Sequence, residues 1–183
     1  MIRFIAALCL MVSLGFSPVR AQIPDMPKPA KEHEWLKKFV GEWETEGEAS
    51  MGPGIPAVKC KGTQKTRLLG SFWVVSEPSM DMQGMKMQAV QTIGYDLKKK
   101  KYIGTWIDGL TDYLWTYEGD VDATGRILSL EADGPNMMKP EKMARFRDAY
   151  EFKSDDHIVQ TSSMKGDDGK WVTFMTGTLK KKK

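Results

Sequence analysis

From Gly41 onward the chain alternates two kinds of position, with Gly41, Trp43, Thr45 and Gly47 interleaved with Glu42, Glu44, Glu46 and Glu48. A period of two predicts a strand with one face buried and the other in water. Just before it, Trp35, Leu36, Phe39 and Val40 recur at helical spacing, which predicts a short helix over about 31–39 running straight into the strand.

The same grammar continues to the end of the chain. Val58, Cys60 and Gly62 alternate with Lys59, Lys61 and Thr63, which points Cys60 inward. Further strands are predicted from Phe72, from Val90 to Tyr95, from Tyr102 to Ile107 and over Tyr113, Trp115 and Tyr117. Ile127 to Ala132, Met143 to Phe152, His157 to Met164 and Trp171 to Leu179 complete the series, with Met80 to Met87 as a hairpin tip. Asp122-Ala123-Thr124-Gly125 is a hairpin turn, its glycine supplying the left-handed position. About ten short antiparallel strands with almost no helix predict an all-β, up-and-down barrel, one end closed by the opening helix.

Composition places this domain within the chain. Arg3, the apolar run from Ile5 to Phe16 and the small residues around Val19-Arg20-Ala21 read as a signal peptide over 1–21, so the protein is expected to be exported, periplasmic or extracellular. Pro24, Pro27 and Pro29 make 22–31 an extended linker, and the barrel is expected over 32–183. The run is too short to span a bilayer and no second one follows, so no membrane-spanning segment is expected after cleavage. Loss of Arg3 and Arg20 lowers the net charge from +3 to about +1, a balance that predicts no nucleic-acid partner. Cys9 leaves with the signal, so Cys60 stands alone and is expected to be a buried small hydrophobe.

Gly41-Glu42-Trp43 after a short helix is similar to the Gly-x-Trp opening of lipocalin-like barrels. More specifically, His33-Glu34-Trp35-Leu36 through Trp43, Gly94-Tyr95-Asp96, Gly104 to Asp108 and Gly169-Lys170-Trp171-Val172 with Phe174-Met175 resemble the bacterial family catalogued as domain of unknown function 1579. The resemblance implies a ten-stranded calycin-type barrel, distantly similar to nitrobindin, and no particular activity. Nitrobindin-like barrels hold haem through a histidine on a late strand. This chain offers Val159, Thr161, Ser163, Thr173 and Met175 there, with its two histidines at His33 and His157, so no haem or other cofactor is expected.

Candidate chemistry is sparse. His33-Glu34-Trp35-Leu36-Lys37 has a lysine where a metalloprotease helix needs its second imidazole, and His33 reads as a surface histidine near a helix start. Asp120 to Glu131 matches the ligand spacing of a calcium loop but is flanked by strand patterns, which favours an acidic hairpin turn. Met80, Met82, Met85 and Met87 would suit Cu(I), yet no histidine reinforces them, so apolar residues on a barrel rim are the preferred reading. Neither a Gly-x-Ser-x-Gly elbow nor a nucleophile beside either histidine is evident.

What remains is aromatic. Trp43, Trp106, Tyr113, Trp115, Tyr117 and Tyr150 are assigned to the inner face with Cys60, and Asp108 is the one acid assigned there; Arg147 falls on the outer face. These residues predict a cavity that binds a small apolar or aromatic molecule by stacking and burial. Rival readings are a cavity enzyme of isomerase or cyclase type using Asp108, and a barrel packed by its own side chains that works through its surface.

Overall fold

The computed structural model describes residues 26–50, 55–139 and 141–183; the signal-peptide reading of 1–21, the start of the linker and part of the loop after β1 lie outside the described residues. A six-residue helix, α1 (Lys31–Leu36), passes through a 3-10 turn (Lys37–Phe39) into β1 (Gly41–Ala49). There follow β2 (Val58–Leu69), β3 (Trp73–Met82), β4 (Met85–Asp96), β5 (Lys101–Asp108) and β6 (Trp115–Val121). The last four are β7 (Ile127–Pro135), β8 (Met143–Ser154), β9 (His157–Lys165) and β10 (Trp171–Lys181). Each strand pairs antiparallel with the next, and β10 returns to pair with β1, closing the barrel. The expected up-and-down barrel with a capping helix is the observed fold.

Period two is what closes it. Trp43 and Thr45 are buried on β1, and the four glutamates between Gly41 and Ala49 all face solvent. Inward glycines let the strands bend: a Cβ on Gly119 would lie 1.8 Å from the Ser129 carbonyl oxygen of the adjacent strand, too close for any side chain.

One end is plugged. Leu36 and Phe39 are buried against Trp43, which is fully buried and donates its indole N–H to the Phe39 carbonyl at 2.9 Å. Trp35 packs edge-on against Phe39, Tyr102 and Phe152, and its indole N–H reaches the Gly125 carbonyl at 2.9 Å, tying the helix to the β6–β7 turn. Side chains of this size stabilise by about 1.5–3 kcal/mol each when buried, more than a six-residue helix gains from its own hydrogen bonds.

Two local expectations change, and the methionine hairpin takes the form expected of it. His33 is not at the surface: it is 3% exposed, wedged against Phe72 and Tyr95, because the helix start is pressed onto β4 rather than left in water. Tyr113 lies outside the strands, since Asp108 accepts the N–H groups of Leu110 and Thr111 and draws this segment into a loop. The methionine hairpin has a turn of only Gln83 and Gly84, both at positive φ, so Met80 pairs with Met87 and Met82 with Met85. The Asp122 turn is the expected hairpin. Its carboxylate accepts from Thr124, Ile127 and Arg126, and these bonds lower its pKa to about 2.

Candidate functional site

The interior divides into two halves. Near the helix, the inward side chains of Val74, Ile93, Leu128, Leu130, Ile158 and Leu179 are at most 2% exposed and fill the space. Toward the opposite end, which we call the mouth, the inward side chains of Trp106, Asp148, Gln160, Met164 and Met175 are only partly buried. This half of the interior is less completely buried than the half beside the helix.

The walls of that upper half are unequal. In a ring of ten strands β1 and β6 stand opposite each other. The β10–β1–β2 side carries small inward residues: Gly177, then Gly47 and Ala49, then Cys60 and Gly62, placed by the pairs Gly47–Gly177 and Gly47–Cys60. The β5–β6 side carries Trp106 and Trp115, directly paired, and Tyr117. Large rings thus face a wall of small residues across this half of the barrel.

Beyond the plug runs a polar belt. Asp148 on β8 pairs across the ladder with Ser162 of β9 and Leu130 of β7. The Ser162 hydroxyl donates to one carboxylate oxygen at 2.5 Å and the Tyr117 hydroxyl to the other at 2.6 Å. Desolvation raises the Asp148 carboxyl above the usual carboxylate range, against the two hydroxyl bonds that lower it. Burial, with the Asp148 charge nearby, likewise holds Tyr117 and Tyr150 well above the ordinary phenol value. The Tyr150 hydroxyl meets the Gln91 amide at 2.8 Å and that of Gln160 at 3.4 Å. Below, Gln64, Thr66 and Ser76 form a chain of hydrogen bonds at 3.1 and 2.9 Å.

Of the residues singled out from sequence, Trp106, Trp115 and Tyr117 share one wall, Tyr150 joins the polar belt, and Cys60 sits buried on the facing wall. The Cys60 thiol donates to its neighbour Val58 at 3.4 Å, and burial pushes its pKa up, away from a nucleophilic thiolate. Trp43 belongs to the floor and is fully covered by the plug. Tyr113 stands at the mouth, its hydroxyl on the Asp133 carbonyl at 3.0 Å and its ring against Trp115.

Asp108 is not the one inward acid. It keeps the inward phase of β5, opposite Ala89, and is committed to the Trp106 indole at 2.8 Å and to the loop it fastens, while Asp148 is a second inward carboxylate. Alternation could have found it, because Asp148 lies two residues from both Phe146 and Tyr150 in the inward phase of β8. Arg147, expected on the outer face, is found there, pairing with Glu131 at 2.6 Å and stacking on Trp171 at 4.0 Å. The four methionines share the inner phase of β3 and β4 at the rim. Among the described residues, no cluster of His, Cys, Asp and Glu could hold a metal ion.

Two clefts lie outside the lumen. A groove of about 880 Å³ runs over the outer face of β5–β8, where Glu131, Arg145, Arg147 and Asp133 are already paired with one another. An apolar cleft of about 460 Å³ opens at the mouth between Ile55, Met138, Val172 and Phe174 and is also lined by Met164, an inward residue of β9. No described helix is long and apolar enough to cross a membrane.

A family model described as "Protein of unknown function (DUF1579)" matches residues 28–181. No curated protein matches the chain. Among solved structures, the chain is similar to an S-type phycobiliprotein lyase, CPES, from Guillardia theta, at 11% identity and a TM-score of 0.57 over 86% of this chain and 99% of that one. It is also similar to Rv2717c from M. tuberculosis, at 12% identity and a TM-score of 0.64 over 85% of this chain and all of the other. At such identities the likeness is one of fold.

Proposed function

The chain belongs to the DUF1579 family, and we propose that it is an exported carrier that holds a small apolar or aromatic molecule in the upper half of its lipocalin-like barrel. The observation that carries this is the opposition of Trp106, Trp115 and Tyr117 to the bare wall of Gly47, Gly62 and Gly177. Stacking on such rings adds about 0.5–1.5 kcal/mol per pair beyond the area buried.

Native mass spectrometry of the protein taken from its own cell envelope tests the reading. The expected result is a retained small molecule whose occupancy falls in Trp115→Ala. A bare chain, together with no binding of naphthalene-sized probes, would refute it. The export arm rests on Arg3, the Ile5 to Phe16 run and Ala21; a mature chain beginning at Gln22 is expected.

A further inference from the structure

Asp148 does a job that packing does not require. Its carboxylate sits inside the barrel, yet among the described residues no lysine, arginine or histidine pairs with it. The basic residues just before it in sequence, Arg145 and Arg147, turn outward to Glu131 and Asp133. Burying a carboxylate without a cation is costly even when it is hydrogen-bonded. An asparagine would remove the charge, keeping one acceptor oxygen and placing an N–H donor where the other stood.

The donor count shows what is missing. Ser162 and Tyr117 each have one hydroxyl proton, and both are directed at Asp148, one to each oxygen. A carboxylate offers about four acceptor positions, so roughly two remain. The carboxylate that carries them sits in the inward phase of β8, on the Tyr117 side of the barrel where Trp106 and Trp115 stand nearer the mouth. What complements two spare acceptors beneath an aromatic wall is a donor on a flat apolar body.

We propose that the lumenal ligand carries a nitrogen donor, as a protonated amine or a neutral N–H, that docks on Asp148 while its apolar body lies against Trp106 and Trp115. This rests on the carrier reading above and narrows it to a chemical class. Ser162 and Tyr117 then act as positioning residues that fix the carboxylate's orientation.

Isothermal titration with three probes of equal size tests the proposal: 2-naphthylmethylamine (a cation at neutral pH), N-methyl-2-naphthylamine (a neutral N–H) and 2-ethylnaphthalene (no donor). At least one amine is expected to bind about ten-fold or more tightly than 2-ethylnaphthalene, the range for a hydrogen bond to a charged group. The better amine tells cation from neutral donor. In Asp148→Asn the preference should shrink to within about three-fold, with 2-ethylnaphthalene affinity kept, which also shows that the variant is folded. Ser162→Ala leaves the charge in place but loosens its orientation, and should lose less of the preference than Asp148→Asn does.

If 2-ethylnaphthalene binds and the wild type makes no distinction, the proposal falls and the carrier reading stands. A preference that persists in Asp148→Asn also overturns it. Failure of all three to bind overturns both.

Discussion

His33 Nε2 donates to the Tyr95 carbonyl at 3.1 Å while its Nδ1 accepts the Ala30 N–H at 2.9 Å. The second bond fixes the proton on Nε2, so one neutral ring joins the start of α1 to the end of β4. His33→Ala removes both bonds, orphans a carbonyl and opens a void beside Phe72. A loss of about 2–4 kcal/mol is expected from such a combined cavity and hydrogen-bond change. Urea unfolding checks it, and an unshifted midpoint would mean that the helix is not docked through this residue.

Asp148 makes stability depend on pH in a defined direction. Its folded pKa is raised by burial, so as pH rises past the ordinary carboxylate value the unfolded chain loses this proton first, and stability falls until the folded value is passed. The titratable groups facing it are Tyr117 and Tyr150, both neutral there; Ser162 and Leu130 are its cross-strand neighbours. Asp148→Asn is therefore expected to unfold at higher urea than wild type at pH 7, with the gap closing on acidification. A wild type that is the more stable at pH 7 would contradict this.

Trp115 lies against Gly134, where a Cβ would come 2.1 Å from the indole ring. Gly134→Ala must push the ring toward the lumen or spread β7 from β6. Overpacking of this kind costs about 1–3 kcal/mol. Near-ultraviolet circular dichroism is expected to change with the urea midpoint; an unaltered spectrum would place Trp115 elsewhere.

Trp43→Ala removes the largest fully buried side chain of the floor together with its bond to the Phe39 carbonyl. The expected loss is about 3–5 kcal/mol. Ligand affinity at the far end of the barrel should change less than stability does, which titration of the surviving folded fraction would show.

Tyr117 and Tyr150 should resist ionisation. Their phenol pKa values are raised, chiefly by desolvation, so above about pH 10 the unfolded chain sheds protons that the folded one keeps, and stability declines with rising pH. Alkaline absorbance titration should show these two ionising with unfolding. A smooth titration of every tyrosine while the fold persists would contradict the buried belt.

Much of the fold was legible because one rule, alternation, operates on every strand and each turn carries its own chemistry. The Glu-bearing phase of β1 and the Asp122 turn needed no long-range information. What escaped depended on partners far away in sequence. His33 is buried by Tyr95, sixty-two residues on, and nothing local to the helix start records that. Tyr113 continued the aromatic alternation, but the Asp108 side chain captured two backbone donors that a strand would have needed. Asp148 is in the inward phase of β8, but a charged residue in that phase carries no local sign of the Ser162 and Tyr117 hydroxyls that hold it there. The contrast between a bare wall and an aromatic one required knowing that β1 and β6 face each other, which only closure of the ring establishes.

The plug has a consequence for handling the molecule. The chain enters through α1, and the Lys182 N–H closes onto the Glu42 carbonyl at 2.8 Å, so both described termini emerge beside the floor. A protein fixed to a sensor or fused to a carrier through either terminus would present its mouth away from the attachment, with the approach for a guest left clear.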